Sequence, residues 1–479
     1  MKYDLIVIGT GFAGTFFLLK YLEKASPKSK ILVLERGVYE KQEHRIENAR
    51  NKPFGNVGYI TSASGNIHTF KNNTPDKPWM FDPNFGGTSY SWTGCTPRFM
   101  PTDFKLNSLF GKGLDWPISY EELEPYYTEA EQIMDVSGPL ETPFPRSEPY
   151  NLPPHALSTV DKLLNKEYGT NYISQPSARA TRAGKRGKCC TSVVCHLCPT
   201  NAKFTIENSL MSVYQDPRVE LVYNAQVYSL ETNNDHVKSV YYKIDNKEFN
   251  VKGELIALAA NAIFNPHILL NSGDLNQSTG KYLTDQVSYF AYIHLNNIDN
   301  VGGNSKNPAN GYMFYDEVDR SKMAASLIET YNDFTLRHEF GKWRKIAKFK
   351  FMFEDIPNKR NYVSKSDDPL KPVVNYVGFN DYVSAGYNNL RNTIEDIFGV
   401  LPIEKIYLDS NVQKDGAHIL GTTRMSNSGN TGTIDSNMIH HQFRNLLVLG
   451  SSSFPSASPT NPTLTISALS LRAANLIMQ

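Results

Sequence analysis

No stretch of about 18 consecutive apolar residues occurs in this chain of 479 residues, so no membrane-spanning helix is expected. An excess of charge of either sign is also missing. Lys and Arg number 49 against 48 Asp and Glu, which gives no reason to look for nucleic acid or an anionic membrane surface as a partner. No cleavable leader is visible, because Met1 and Lys2 run straight into an apolar strand. A cytoplasmic protein is the expectation, which a partner subunit carrying its own export signal would alter. Internal repeats and long low-complexity tracts are absent. Cysteine is scarce, five in all, yet four fall within ten residues: Cys189, Cys190, Cys195 and Cys198. Such clustering favours metal or redox chemistry over a disulfide framework. What is present is enough apolar sequence, 40%, for a substantial core in two or three domains or one two-lobed unit.

The first positive signal lies at the amino terminus. Residues 3–9, YDLIVIG, form an apolar, β-branched run that reads as a buried parallel strand. Gly9, Thr10, Gly11, Phe12, Ala13 and Gly14 follow, then a helical stretch from Thr15 to Leu22. The pattern is G-x-G-x-x-G between a strand and a helix. Gly9 permits the tight turn, Gly11 lets the backbone approach a pyrophosphate, and Gly14 lets helix and strand pack closely. The helix amino terminus then faces the phosphate charge. A second strand, Lys30 to Leu34, ends at Glu35, an acid at the spacing that suits a ribose hydroxyl. The motif alone does not separate FAD from NAD.

The carboxyl-terminal segment carries the more specific pattern: GAHILGTTRM (Gly416 to Met425), NLLVLGSSSFP (Asn445 to Pro455) and SPTNPTLTISALSLRAANLI (Ser458 to Ile477). Asn461 suits an N-cap and Pro462 the first helical position of a final helix. Removing hydride from an alcohol carbon requires a base for the hydroxyl proton, and histidine suits that task near neutral pH. His418 is the candidate base, and Asn461 the candidate to hold the substrate hydroxyl. The bland readings are a satisfied core or surface histidine and a plain N-cap. His440 and His441 look like a surface pair.

The cysteine segment, CCTSVVCHLCPTNAK, has the spacing C-C-x4-C-x2-C. Zinc and iron–sulfur clusters both accept several thiolates, and a cluster-free segment stays open beside them. Upstream, Arg179, Arg182, Lys185, Arg186 and Lys188 form a basic run that reads as a solvated loop, with charge balance for thiolates or docking of an acidic electron acceptor as the alternatives.

Taken together these motifs resemble the glucose–methanol–choline (GMC) family of flavin oxidoreductases, and the likeness runs from end to end. The resemblance rests on the opening glycines and on H-x-x-G-T-x-R-M, G-S-S-x-F-P and N-P-T-L-T in the tail. FGGTSYSWTGCTPRF (Phe85 to Phe99) resembles the loop that wraps the isoalloxazine, and GLDWPISYEELEPYYTEAE the segment after it. Ser119 and Glu122 there form a capping box, so a helix is predicted from about Tyr120. ELIALAANAIFNPHILLNSG (Glu254 to Gly273) resembles the strand-turn-helix that completes the FAD site. It has Asn261 where the family carries Gly, a residue that tolerates a left-handed turn.

The resemblance implies His418 as the base and Asn461 as its partner. It implies FAD contacts at Gly9, Gly11, Phe12, Ala13, Gly14, Glu35 and Arg36, and at Gly87, Ser89, Ser91, Trp92 and Thr93 of the wrapping loop. Val227, Ala260, Gly450, Ser451, Asn461, Pro462 and Thr463 complete the implied set. Relatives that bind FAD covalently use a histidine in the wrapping loop; this chain has Ser91 there, so non-covalent FAD is expected. Within the family the nearest likeness is to pyranose oxidases and to bacterial sugar dehydrogenases with a 3Fe-4S centre. That likeness implies a cluster (3Fe-4S or 4Fe-4S) on Cys189, Cys190, Cys195 and Cys198.

The expected fold is α/β. A Rossmann-like FAD-binding lobe (residues 1–110, 175–290 and 410–479) would carry the cysteine cluster 189–198. A substrate lobe (111–174 and 291–409) would place an antiparallel sheet over the flavin. Alternation at Lys348, Phe349, Lys350 and Phe351 supplies one strand of that sheet. The expected activity is an FAD-dependent dehydrogenase that oxidises a sugar, glycoside or aminoglycoside-like alcohol. Its electrons would pass to an external acceptor, an acceptor protein or a small subunit. Two other readings stay open: an oxidase using dioxygen, and an electron-transfer flavoprotein subunit that oxidises no alcohol itself.

Overall fold

The computed structural model describes residues 2–51, 68–191, 194–303, 306–333, 335–413 and 417–479; of the residues in the motifs above, Met1, Ser192, Val193 and Gly416 lie outside the described residues. The apolar run that opens the chain becomes the strand Lys2–Ile8. Leu5, Ile6, Val7 and Ile8 are at most 3% exposed, as a parallel strand covered on both faces requires. It lies between Ile31–Leu34 and Lys247–Leu258, parallel to both. Val219–Val222 and Leu446–Val448 extend the parallel layer at its two ends.

Strand Lys247–Leu258 changes role along its length. Residues 247–251 pair antiparallel with His236–Ile244 through Asp245 and Asn246, both at positive φ (47° and 64°), as a two-residue hairpin turn needs. Residues 252–258 pair with Lys2–Ile8 instead. Helix Phe12–Lys24 packs against the final helix Thr463–Ile477, which also packs on Tyr120–Ile133. The last of these starts where the capping box predicts. Ser119 Oγ accepts from the Glu122 N–H at 3.2 Å, and Glu122 Oε2 accepts from the Ser119 N–H at 2.8 Å. Asn261 adopts φ +74°, and its Oδ1 accepts from Ile263 N (2.8 Å) and Phe264 N (3.2 Å). The turn tolerates asparagine because its side chain also accepts from two N–H groups in the first turn of the helix Asn261–Asn271.

The second sheet is antiparallel throughout. Its order is Ile403–Leu408, Val287–Leu295, Ile346–Phe353, Ser326–Thr330, Ala309–Gly311 and Tyr172–Ser174. The two-residue period of Ile346–Phe353 separates its faces. Phe349, Phe351 and Phe353 enter a core with Val383, Leu390 and Phe398. Lys350 and Met352, on the other face, line a cavity, while Lys348 pairs with Asp333 at 2.7 Å. The basic-aromatic look of this strand is therefore a property of the sheet. Among the described residues no helix is long and apolar enough to cross a membrane.

Three local readings are corrected. The final helix begins at Thr463, and Pro462, not Asn461, takes the cap position with no side-chain bond; Asn461 lines a cavity beside Glu329 of the antiparallel sheet instead. His440 is not at the surface but fully buried. Its Nε2 faces Asp274 Oδ2 at 3.3 Å, and its Nδ1 accepts from Gln442 N and Phe443 N, both at 3.2 Å. The basic run is only partly solvated. Arg182, Lys185 and Lys188 are exposed, whereas Arg179 and Arg186 are 2% and 4% exposed. Arg186 turns inward because Ala178 O (2.9 Å) and Met134 O (2.5 Å) accept from its guanidinium.

Candidate active site

The opening glycines form one wall of a cleft at the carboxyl ends of the parallel strands, where open α/β sheets bind their ligands. Gly9, Gly11, Phe12, Ala13, Glu35, Arg36, Gly87, Val227, Ala260, Gly450 and Ser451 all line it. Gly9 sits at φ +102°, and a Cβ there would stand 2.6 Å from Ala259 O. A Cβ on Gly14 would come 2.1 Å from Gly9 O, so Gly14 lets the helix close on the turn from behind and does not face the cleft. A Cβ on Gly11 would meet no atom within 4 Å. The space over it belongs to the cleft, and no side chain caps the helix that starts there. An anionic diphosphate fits such an end.

Glu35, 5% exposed, accepts from Thr10 N (3.0 Å) and Thr10 Oγ1 (2.5 Å) through Oε2, and from Gly37 N (2.9 Å) through Oε1. Burial raises its pKa, and these hydrogen bonds oppose the rise. With about four lone-pair sites, the carboxylate has one left for a ribose hydroxyl.

A second cavity, of about 360 Å³, adjoins the cleft, and Thr88 and Phe81 line both. Ser91, Trp92, Thr93, His418, Asn461 and Thr463 line it from the wrapping loop and the tail. Glu329, Tyr331, Lys350 and Met352 do so from the antiparallel sheet, joined by His196 and Lys306. Of the remaining expected contacts, Ser89 is fully buried and its Oγ accepts from Ile206 N at 3.2 Å. Pro462 caps the last helix. Neither residue lines the cleft or the cavity.

Two histidines therefore face the second cavity, and their bonds set them apart. The Gln286 amide donates through Nε2 to Ser458 O (2.5 Å) and Thr460 O (2.8 Å), so its Oε1 is the end presented to His418 Nδ1, at 2.5 Å. An amide oxygen only accepts, so Nδ1 carries the proton and Nε2 carries the lone pair. Asp285 Oδ1 accepts from the His418 backbone N–H at 3.1 Å, and Lys77 Nζ bonds Asp285 Oδ2 in a buried pair. The loop that supplies the two carbonyls is itself pinned, because Asp103 Oδ2 accepts from Ser458 Oγ (2.9 Å) and Tyr315 OH (2.6 Å). His196 is different. Its Nδ1 bonds Ser91 O at 2.6 Å, and its Nε2 lies 3.3 Å from Lys306 Nζ. Burial and the Lys306 charge lower its pKa to about 4, which makes it a poor base at neutral pH.

Sequence reasoning missed Gln286, Asp285, Lys77, Glu329 and Lys350, which belong to no motif and reach the site only through sheet pairing and loop packing. His196 had a signal, its place inside the cysteine segment. Lys203, 1% exposed, ties that segment to the wrapping loop, donating to Tyr90 O (2.6 Å), Trp92 O (2.8 Å) and His196 O (2.9 Å). Cys195 and Cys198 are buried, Cys189 is half-buried and Cys190 is exposed. Cys198 Sγ accepts from Ala202 N at 3.2 Å, and Arg179 Nη1 approaches Cys195 Sγ at 3.9 Å. Among the described residues, no group of three or more His, Cys, Asp or Glu side chains stands together as metal ligands would.

The chain is similar to known proteins. Residues 357–470 match the family model described as GMC oxidoreductase. The chain is similar to the fructose dehydrogenase large subunit of Gluconobacter japonicus, 26% identical over all of this chain and 98% of the relative. It is similar to the 2-methyl-1,2-propanediol dehydrogenase of Mycolicibacterium austroafricanum, 24% identical over 99% of this chain and 95% of the relative. Its fold matches the crystal structure of pyridoxine 4-oxidase from Mesorbium loti with a TM-score of 0.68, at 14% identity over 99% of both chains. A nucleotide cleft that opens beside His418, together with the GMC oxidoreductase match over residues 357–470, makes the chain similar to the GMC oxidoreductases, FAD-dependent enzymes that act on CH–OH donors.

Proposed function

We propose that the protein is an FAD-dependent dehydrogenase that oxidises a hydroxyl of a sugar, glycoside or aminoglycoside-like alcohol, with His418 taking the hydroxyl proton. The observation that carries this reading is the His418 ring, which lines the cavity beside the nucleotide cleft with its Nδ1 held against Gln286 Oε1. When bound, the flavin supplies the hydride acceptor, at N5. The chain's own residues do the rest. The Gly9–Gly14 turn and the uncapped helix end hold the diphosphate, and Glu35 holds the ribose. The C–H bond breaks with its electron pair while the hydroxyl proton passes to His418 Nε2, leaving a carbonyl. Asn461 holds the substrate beside that base, and Trp92 and Met352 give the cavity apolar walls.

Ser91 has no ring nitrogen to form a covalent link, so the cofactor is held without one. Relatives whose names carry fructose and a propanediol support a hydroxyl-rich substrate, and the one described as a large subunit supports a partner subunit or acceptor protein.

The iron–sulfur centre is proposed on the cysteine spacing alone. The four thiols do not stand as a ligand set in this structure, so no step is routed through a cluster. Two measurements test these readings. Anaerobic mixing of the holoenzyme with a panel of sugars, glycosides and polyols is expected to bleach the flavin absorbance. Bleaching by none would favour a non-catalytic flavoprotein, and stoichiometric peroxide on re-aeration would favour an oxidase. Acid precipitation of anaerobically purified protein is expected to release all the flavin to the supernatant, together with iron and labile sulfide. Flavin left in the pellet would rule out non-covalent binding, and protein free of iron and sulfide would rule out the cluster.

A further inference from the structure

The loop that joins strands Ser326–Thr330 and Ile346–Phe353 carries apolar side chains that the core does not use. Leu336, Phe340 and Trp343 are 55%, 100% and 61% exposed. Among the described residues no other large apolar side chain is fully exposed, and the three other tryptophans are buried or half-buried. Single apolar side chains on a surface are ordinary; three within eight residues of one loop mark a contact surface.

The loop is fastened so that its tip stays out. Arg337 N donates to Trp343 O at 3.2 Å and closes the turn, and Gly341 takes φ +72° beside Phe340. The Arg337 guanidinium, 2% exposed, anchors the near limb. Its Nε meets Glu339 Oε1 at 2.7 Å, and its Nη1 meets Glu404 Oε2 at 2.9 Å and Leu295 O at 3.3 Å. Leu295 N and Asn300 N hold the far limb, donating to Lys345 O (3.0 Å) and Arg344 O (2.8 Å). With both limbs held, the aromatic tip stays in solvent unless something outside the chain covers it.

The charges say what that is. From Phe340 to Ile346 the loop has Lys342, Arg344 and Lys345 and no acid. Of the acids around it, Glu339 and Glu404 are taken up by Arg337 and Lys342, and Asp333 by Lys348; Asp299, next to Asn300, remains. Arg344 and Lys345 enter no ion pair among the described residues. The balanced charge of the whole chain conceals this local run of bases. Aromatic rings set between lysine and arginine suit the boundary of a bilayer. Tryptophan settles at headgroup level with its N–H hydrated, a phenylalanine at the tip goes deeper, and the cations meet lipid phosphates. A protein partner fits less well, because lysine is depleted from protein interfaces.

We propose that this loop docks the enzyme on an anionic lipid surface, with Phe340 and Trp343 entering the boundary and Arg344 and Lys345 held by phosphates. The inference is independent of the substrate and of the proposed alcohol oxidation.

The test is flotation of the holoenzyme with vesicles of phosphatidylcholine alone and of phosphatidylcholine mixed with phosphatidylglycerol. Binding to the anionic vesicles is expected, and added salt should weaken it. Phe340→Ser/Trp343→Ser should weaken it by about 10- to 100-fold, from the apolar burial lost. Arg344→Gln/Lys345→Gln should weaken it by about 30-fold, from two cations near the surface. In the wild-type protein, lipids with brominated acyl chains should quench the fluorescence of Trp343. This reading needs no variant, and its absence would overturn the inference. So would a holoenzyme that floats with neither vesicle, or equally with both at every salt concentration. Folded variants that float as the wild type does would remove the loop from the account. Self-association of the lipid-free holoenzyme, lost in Phe340→Ser/Trp343→Ser, would assign the loop to a second copy of the chain instead. Flavin reduction by alcohols, followed in the same preparations, reports on the proposed function separately.

Discussion

Replacing His418 by alanine is expected to slow flavin reduction by an alcohol about 10²- to 10⁴-fold, the range a positioned general base supplies. The flavin itself should stay bound, because the residues that line the nucleotide cleft do not include His418. Only a neutral imidazole can accept the hydroxyl proton. In the wild-type enzyme kcat/KM should therefore rise with pH through the titration of the ring, and in His418→Ala that rising limb should disappear. The neighbouring His196 is not expected to take over, since its pKa is lowered to about 4 and both of its ring nitrogens are engaged. A variant that keeps wild-type reduction rates to within about tenfold, or retains the pH limb, would remove His418 from the chemistry.

Gln286 should show the next largest effect. In Gln286→Leu, His418 Nδ1 loses its acceptor, and Ser458 O and Thr460 O lose a shared donor. With about 1–3 kcal/mol for each buried group left unmet, a drop of about 10- to 10²-fold in kcat is expected, since the ring no longer has one enforced tautomer. KM should change less. A purely structural role would produce a rate loss with no change in the pH profile, so the decisive variant is Gln286→Glu. It keeps an acceptor at Nδ1 but adds a negative charge beside the ring, which favours the imidazolium. The base limb of kcat/KM should then move to higher pH. A profile left where it was would mean that Gln286 supports the loop without tuning the base.

How far the site was legible in advance varied with the kind of signal. Gly9, Gly11 and Glu35 were legible because each answers a local demand of a strand–turn–helix, and each lines the nucleotide cleft. The capping box at Ser119 and the left-handed turn at Asn261 were legible for the same reason. His418 was visible only through its motif, since a histidine by itself carries no mark of its environment. Gln286 and Glu329 were invisible. Each sits in an ordinary strand or strand-adjacent segment, and its partners are far away in the chain: 172 residues for the Gln286–Ser458 bond and 154 for Gln175–Glu329. The burial of His440 and Arg179 was misread on the same ground, for their partners come from distant segments.

The sequence by itself determined the local conformations: which segments form strands, where the turns take glycine or asparagine, and which end of a helix is left open to an anion. Backbone sterics and side-chain periodicity act over a few residues, so they can be read from a few residues. Tertiary structure alone decided the protonation geometry of the site. Which nitrogen of His418 meets an acceptor depends on Gln286, held in turn by two backbone carbonyls of a distant loop. A hydrogen bond needs its two atoms about 3 Å apart, and only the folded chain brings these groups that close.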